Sequence, residues 1–278
     1  MPLYQVVVLA LVQAFTEFLP ISSTAHLALS RWLLGWTGDG SMSDLTFDIA
    51  LHAGTLLATV VYFFRDWLQI GSQALGIDYR PDPEIARNSR LLWMLAAATL
   101  PVAVIGLLFE KYAETVFRGP LVIAVMLIGV GIIMWIADQR QDLKKGIDRV
   151  TWADSLVIGF AQALAIIPGT SRSGITMTAS LFRGLKRDTA ARFSFLLSTP
   201  ALFGAAIMAF RDIWKAGGIP PELMTSFLAG VVVSAVTGWL VIAWLLRYLR
   251  TRTLRFFIYY RVIFGIIVIA LVLFRRAG

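Results

Sequence analysis

The residues best suited to chemistry in this chain stand in two short stretches, each of which interrupts an apolar segment. The first stretch runs from Gln13 to His26 and reads QAFTEFLPISSTAH, with a carboxylate, an imidazole, several hydroxyls and a proline. Inside a membrane such groups are costly, so an ionisable residue there is a functional candidate by default. Glu17 is the strongest of these candidates, because lipid offers a carboxylate no favourable surroundings.

The second stretch runs from Gln162 to Thr176 and reads QALAIIPGTSRSGIT, which repeats the layout of the first. In both stretches the proline should end one helix, and a second helix should begin just after it. The first N–H groups of that second helix have no intrahelical partner, and serine or threonine caps them well. Two such helix N-termini that converge would form a cradle for an anion such as phosphate.

Side chains of the first stretch could activate a nucleophile. Ser23 and His26 are three residues apart and share one helix face, so the imidazole could deprotonate the hydroxyl or act as acid to a leaving group. Glu17 could orient His26 or hold a divalent cation, and Gln13, one helical turn earlier, would line the same wall. A histidine in an apolar run is also often a structural residue.

Basic residues of the chain suggest two further roles. Arg172, between Ser171 and Ser173, offers planar paired donors suited to phosphate, and could instead clamp the exposed carbonyl groups of the opposite turn. Ser22 could bind the ligand or merely cap its helix. Arg261 lies about one helical turn into the last apolar stretch, where it could anchor the helix at the interface, clamp a neighbouring helix or contact the ligand.

Composition identifies the class of protein. Of 278 residues, 58% are hydrophobic and 15% are charged, and the mean hydropathy is +0.75. A soluble domain carries about 25% charged residues, so this is an integral membrane protein. The absence of cysteine excludes disulfides and thiolate chemistry. The net charge of +8 is better explained by cytoplasmic Lys and Arg than by nucleic-acid binding, and no nucleic-acid partner is predicted.

Hydropathy predicts an all-α polytopic membrane protein with six transmembrane helices and two re-entrant helical hairpins. The two hairpins, residues 3–34 and 153–184, are each broken by proline, and each half is too short to cross a bilayer comfortably. The N-terminal apolar run continues into the first polar stretch, so no signal peptide is expected. The six predicted spans are residues 47–64, 91–109, 120–137, 189–210, 222–246 and 256–274.

Loop charge predicts the orientation of these segments. If both hairpins return to the side they entered, fifteen Lys and Arg residues fall on one side and seven on the other. The richer side should be cytoplasmic, which places both termini outside. Each half, 1–137 and 138–278, then holds one hairpin and three spans, an odd number of crossings. The halves should therefore be inverted repeats, a plan common in transporters.

The two polar stretches resemble the paired motifs of the undecaprenyl pyrophosphate phosphatase family, also called bacitracin-resistance proteins. Two more runs, FDIALHAGTLLATVVYFFRD and ARFSFLLSTPALFGA, are similar to the family's spans after each hairpin, so the resemblance covers nearly the whole chain. It implies hydrolysis of undecaprenyl diphosphate in the bacterial plasma membrane to undecaprenyl phosphate and inorganic phosphate. That reaction recycles the lipid carrier for cell-wall synthesis and confers resistance to bacitracin.

The resemblance also implies roles for residues. The family's acidic motif falls on Gln13 and Glu17, which leaves one carboxylate where other members have two. A divalent cation, magnesium or calcium, is a family expectation, with Glu17 as its ligand. Catalytic roles are predicted for Ser23, His26 and Glu17. Diphosphate binding is predicted for Arg172, Ser171, Ser173, Thr176, Ser22 and Gln13.

Two alternatives remain at this point. Ser23 could attack phosphorus with His26 as proton partner, or His26 or Glu17 could activate water directly while Ser23 only binds. The rival function is a polyprenyl-phosphate flippase or transporter of the inverted-repeat type. The active site is expected to open to the outside, because the first hairpin opens there, and a homodimer is compatible with the sequence.

Overall fold

A computed structural model describes residues 2–36, 42–117, 119–215 and 217–277. Twelve α-helices occur in these residues, together with short 3₁₀ turns at Ile147–Arg149 and Leu164–Ile166. The helices are α1 (Leu3–Phe18), α2 (Ser23–Leu34), α3 (Met42–Tyr62), α4 (Phe64–Ala74), α5 (Pro83–Ala86), α6 (Leu91–Val116), α7 (Pro120–Asp138), α8 (Trp152–Ala163), α9 (Arg172–Phe182), α10 (Arg187–Lys215), α11 (Pro221–Leu249) and α12 (Arg255–Ala277).

Five of the described helices are long and apolar enough to cross a membrane, namely α6, α7, α10, α11 and α12. Helices α3 and α4 meet the same criterion only together, and they are bent by 67° at their junction, so they add at most a sixth span. The predicted spans coincide with α3, α6, α7, α10, α11 and α12. The described part of the chain is therefore an all-helical, multi-pass membrane protein with five or six candidate spans.

Both predicted helix breaks lie where the prolines stand. Helix α1 ends at Phe18 before Pro20, and the 3₁₀ turn after α8 ends at Ile166 before Pro168. Proline has no N–H to continue the helical ladder and fixes its own backbone angle, which favours an end at these points. We call residues 19–22 the N-terminal turn and residues 167–171 the central turn.

Helix α8 starts at a well-formed cap. The Thr151 hydroxyl accepts a hydrogen bond from the N–H of Asp154 at 3.2 Å, and the Thr151 N–H donates to the Asp154 carboxylate at 3.0 Å. This reciprocal arrangement satisfies two N–H groups that would otherwise lack partners. Arg183 donates to the same carboxylate at 2.7 Å, so the start of α8 is fixed to the end of α9.

The helices of the two halves interlock. Helix α1 packs along α11 of the second half, and α8 packs along α6 of the first half. Helix α3 packs against α10 and α11, and α12 packs against α7. Each broken helix pair is therefore held mainly by a long helix of the other half, which brings the N-terminal and central turns into one interior region.

One loop of the predicted cytoplasmic side is tied to α10 by an ionic network. Arg192 donates to the Asp66 carboxylate at 2.7 Å and lies 2.8 Å from the carboxylate of Asp82. Burial would raise the pKa of the Asp82 carboxyl, but Arg192 and the N–H groups of Glu84 and Ile85 hold it below its usual value. The network fixes the connection before α5 against the helix bundle.

Replacing Gly159 with alanine should destabilise the protein by about 1–3 kcal/mol, because overpacking at fixed backbone costs that much. A Cβ atom at Gly159 would lie 2.7 Å from the Cα atom of Ala98 and closer still to its carbonyl oxygen. The measurement is the thermal unfolding midpoint in detergent. Gly106→Ala on α6 is the matched control, since nothing lies within 4 Å of its added Cβ and alanine favours a helix. Equal midpoints for the two variants would contradict the close α6–α8 contact.

Candidate active site

Each turn contains one serine in a rare backbone conformation. Ser22 has φ of 78° and Ser171 has φ of 70°, and they are the two positive-φ residues other than glycine in the described chain. Each stands immediately before the first residue of a helix, Ser23 for α2 and Arg172 for α9. Such conformations cost about 1–3 kcal/mol each and persist only where the surroundings impose them, which occurs often at functional sites.

The expected serine cap forms at one turn and not at the other. The Ser171 hydroxyl accepts a hydrogen bond from the N–H of Gly174 at 3.1 Å and so caps α9. The Ser22 hydroxyl makes no cap hydrogen bond and lies 3.1 Å from the hydroxyl of Thr24. The N-terminus of α2 therefore keeps N–H groups without a side-chain cap, as an anion site requires.

Arg261 links the two turns by hydrogen bonds to both of them. Its side chain is fully buried, and it donates to the carbonyl oxygens of Pro20 at 3.0 Å, Gly169 at 2.9 Å and Thr170 at 3.0 Å. It also donates to two carbonyl oxygens of α7 at 3.2 and 3.3 Å. The clamp that the sequence suggested for Arg172 is thus made by Arg261, which is a neighbouring-helix clamp and not an interfacial anchor.

Glu17, near the end of α1, bonds to the first residues of both α2 and α9. One carboxylate oxygen accepts from the Ser23 hydroxyl at 2.7 Å and from the Gln13 amide at 3.2 Å, and the other accepts from Arg172. The side chain of Glu17 is 7% exposed. The structure therefore brings together a carboxylate, a hydroxyl and a guanidinium from the two stretches that the sequence singled out.

Both ring nitrogens of His26 are hydrogen-bonded to partners outside this group. One ring nitrogen (Nδ1) is 2.7 Å from the carbonyl oxygen of Ser22, and the other (Nε2) is 2.7 Å from the hydroxyl of Tyr260. The ring also stacks on Phe264 with centroids 4.6 Å apart. Since a carbonyl can only accept, Nδ1 carries the proton and Nε2 accepts from Tyr260 in neutral His26. Ser23 is thus paired with Glu17 and not with His26.

The remaining predicted phosphate-binding residues surround Arg172. Ser173 donates to the carbonyl oxygen of Leu19 at 3.1 Å, which links α9 directly to the N-terminal turn. Thr176 donates to the carbonyl oxygen of Arg172 at 2.8 Å, and its hydroxyl is 2.6 Å from that of Ser194. These residues are buried, and in this structure they position α9.

Sequence reasoning missed Tyr260 and Ser194 as site residues. The sequence predicts no role for Tyr260, yet its hydroxyl holds His26. Ser194 and Ser198 are one helical turn apart on α10, in an apolar stretch, and that spacing was the available signal. Ser194 and Ser198 line a narrow crevice beside Glu17 and Arg172, and the volume of this crevice is about 10 Å³. That volume holds about one water molecule, so a diphosphate needs the crevice to widen.

The site contains one carboxylate suited to a divalent cation. No three His, Cys, Asp or Glu side chains of the described residues form a metal-binding cluster. The side-chain oxygen of Gln13 is buried without a hydrogen-bond partner, however, beside Glu17. Magnesium is commonly held by one or two protein oxygens, with water and substrate phosphates completing its coordination. Glu17 and Gln13 fit that pattern.

A family model and several known proteins are similar to this chain over nearly all of its length. The family model described as "Bacitracin resistance protein BacA" matches residues 6–267. A protein of Pelotomaculum thermopropionicum named undecaprenyl-diphosphatase is 46% identical over 278 residues, which is 100% of both chains. A protein of the same name from Moorella thermoacetica is 45% identical over 99% of this chain and 100% of its own. Another, from Desulforudis audaxviator, is 44% identical over 98% of each chain.

Proposed function

This chain belongs to the bacitracin resistance protein BacA family, and we propose that the contact between its N-terminal and central turns is the active site of an undecaprenyl-diphosphatase. The enzyme hydrolyses undecaprenyl diphosphate to undecaprenyl phosphate and inorganic phosphate. This returns the lipid carrier to cell-wall synthesis and accounts for bacitracin resistance. The observation that carries the assignment of the site is the joint contact of Ser23 and Arg172 with Glu17.

We assign Ser23 as the nucleophile and Glu17 as its general base. The hydroxyl already donates to the carboxylate at 2.7 Å, so the proton can move to Glu17 as the oxygen attacks the terminal phosphorus. The bond from phosphorus to the bridging oxygen breaks, and undecaprenyl phosphate leaves. Water then hydrolyses the phosphoserine and releases inorganic phosphate. This geometry favours serine attack over direct attack by water, since the Glu17 carboxylate is bonded to the Ser23 hydroxyl and both ring nitrogens of His26 already have other partners.

His26 is then a positioning residue for the N-terminal turn. Its Nδ1–H donates to the carbonyl of Ser22, the residue with the rare backbone angle just before Ser23. Tyr260 and Phe264 hold the ring in place from α12. Loss of the imidazole would allow Ser22 to relax and Ser23 to move away from Glu17, so His26 supports catalysis through the backbone.

Arg172 and the uncapped N-terminus of α2 bind the diphosphate. Arg172 is bonded to Glu17 in this structure, and a phosphate group would offer it a stronger, doubly charged partner. As Arg172 turns to the substrate, the Glu17 oxygen that it now occupies becomes available to a cation, while the other oxygen keeps its bond to Ser23. The narrow crevice widens in the same movement.

A divalent cation, magnesium or calcium, would be held by Glu17 and the free side-chain oxygen of Gln13. When bound, it would neutralise charge on the phosphate oxygens. Gln13 also donates to Glu17, which fixes the carboxylate in the orientation that Ser23 uses. The single carboxylate suits a weakly held ion that arrives with the substrate.

For the architecture, we infer six spans with two re-entrant hairpins in two inverted halves, residues 1–137 and 138–278. Helices α1 and α8 are apolar but short, and the reciprocal packing of α1 on α11 and of α8 on α6 supports the repeat. The loop charges support a cytoplasmic face opposite the termini, with the active site opening outside. A lipid transporter could share this plan, but it would not need a serine bonded to a carboxylate beside a guanidinium.

The function is tested by phosphate release from undecaprenyl diphosphate by the purified protein in detergent. The wild type should release phosphate, EDTA should abolish the release, and added magnesium should restore it. Arg172→Ala should lower kcat/KM by about a hundredfold, the usual effect of removing one transition-state donor, and Arg172→Lys should recover only part of it.

Arg255→Ala is the matched control for Arg172→Ala, since Arg255 is an exposed arginine at the start of α12. It should keep the wild-type rate. A wild type that binds the lipid without releasing phosphate would overturn the enzyme in favour of a carrier. Full activity of Arg172→Ala would remove the start of α9 from the active site.

A further inference from the structure

An apolar groove of about 410 Å³ lies between α3 and α11 on the outer surface of the bundle. Its floor is Ala58, which is buried, and its walls are half-exposed apolar side chains. The wall residues are Leu57 and Val61 from α3 and Val236, Trp239 and Leu240 from α11. In a membrane, a groove of this composition faces hydrocarbon and accepts chains, not polar groups.

The groove is separated from the catalytic crevice by one aromatic ring. A Cβ atom at Gly238 would lie 2.8 Å from the Phe18 ring and 3.0 Å from the Cβ of Ala58, so all three meet at one point. Phe18 directly follows Glu17 and also lines the crevice beside Glu17 and Arg172. Phe18 is only 1% exposed, so a chain attached to a phosphate in the crevice reaches the groove when the Phe18 ring rotates aside.

We propose that this groove binds the first isoprene units of the undecaprenyl chain, an inference that rests on the proposed function. The diphosphate lies between the turns, the chain passes Phe18, and its methyl-branched units lie on Ala58 between the walls of α3 and α11. Glycine at 238 allows Phe18 and Ala58 to approach each other, so the wall between the crevice and the groove is one ring thick. The groove thus selects prenyl diphosphates by the position of the chain relative to the phosphate.

Such a groove should change which substrates react fastest more than how tightly they bind. Lipid tails are as apolar as the groove, so moving a prenyl chain from the bilayer gains little hydrophobic free energy. A fixed chain, however, orients the diphosphate in the crevice and so raises the rate of the reaction. Obstruction of the groove should then affect substrates with long chains and spare those whose chain ends before Phe18.

The kinetic test compares undecaprenyl diphosphate with dimethylallyl diphosphate, which carries a single isoprene unit. Leu57→Trp and Leu240→Trp fill the groove from opposite walls at positions exposed enough to tolerate them. Each should lower kcat/KM for undecaprenyl diphosphate by about tenfold, the size of one misplaced apolar contact, and leave dimethylallyl diphosphate within twofold of wild type. The matched control, Leu100→Trp on the outer face of α6, should change neither.

A second measurement does not depend on catalysis. The chain has no cysteine, so Val61→Cys or Val236→Cys places a single thiol in the groove. Undecaprenyl phosphate should slow maleimide modification of either thiol in detergent severalfold, and dimethylallyl phosphate and dioleoyl phosphatidic acid should not. The control Leu100→Cys should be modified by maleimide at the same rate with each of these lipids and without any of them.

Equal losses on both substrates in the tryptophan variants would overturn the proposal, because the crevice itself would then be distorted. Unchanged kinetics would also overturn it, as would equal thiol protection by phosphatidic acid, which would make the groove a site for ordinary lipid. In each of these outcomes the wild type still hydrolyses undecaprenyl diphosphate. If the wild type hydrolyses neither substrate, it is the proposed function that fails.

Discussion

Replacement of Glu17 with glutamine should lower the turnover number for phosphate release by about two to four orders of magnitude, the usual contribution of a general base. An amide cannot take the proton that the Ser23 hydroxyl now donates to the carboxylate at 2.7 Å. It also removes the charge that holds Arg172 between the two turns. Glutamine has nearly the same shape as glutamate, so the surrounding helices should remain packed.

The matched control is Glu222→Gln, at the exposed start of α11, which should keep the wild-type turnover number. Because Ser23 and Glu17 act as one unit, a double variant with Ser23→Ala should be no slower than the slower single variant. The serine assignment would be wrong if Ser23→Ala retained most of the activity while Glu17→Gln lost it. That outcome would identify Glu17 as a base for water.

Replacement of Arg261 with methionine should destabilise the protein by at least about 3 kcal/mol, because it leaves the buried carbonyl oxygens of Pro20, Gly169 and Thr170 in the two turns without this donor. Each such orphaned group costs about 1–3 kcal/mol. Loss of the desolvation penalty of the buried guanidinium offsets only a part of this. The thermal unfolding midpoint in detergent measures the loss.

Arg261→Lys separates the geometric requirement from the charge. An ammonium group keeps the charge but has three donors at a single point, so it cannot reach both turns and α7 together. We expect the unfolding midpoint of Arg261→Lys to lie between those of the wild type and Arg261→Met. Its rate of phosphate release should stay low even at temperatures below that midpoint. Arg255→Met, on the same helix but exposed, is the control and should match wild type in both measurements. A normal midpoint for Arg261→Met would show that the turns are held by other contacts.

The helices of this fold could be predicted from local rules. Proline disfavours continuation of a helix, and at 20 and 168 a helix ends just before it, although Pro101 and Pro200 lie inside α6 and α10. Serine before Ser23 and Arg172 marks the next helix start. Runs of about twenty apolar residues indicate spans in any sequence. These features depend on neighbours along the chain, and for that reason the predicted breaks and spans lie within a few residues of the observed ones.

Partners of the site residues could not be predicted in the same way. Glu17 and Arg172 are 155 residues apart, and their contact depends on how the two halves pack. Ser23 and His26 do share a helix face, but the ring turns to Tyr260 and the hydroxyl turns to Glu17. Spacing fixes which side chains can meet, and the direction of each side chain is decided by tertiary neighbours.

The place of Arg261 in the chain has a consequence for synthesis in the cell. Both turns are translated before α12, so their carbonyl oxygens enter the membrane without the guanidinium that will bind them. Unpaired backbone groups at that depth are unfavourable in lipid. The nascent protein must therefore shelter its two turns until α12 inserts, and a chain that stalls on the ribosome before that helix has no assembled catalytic centre.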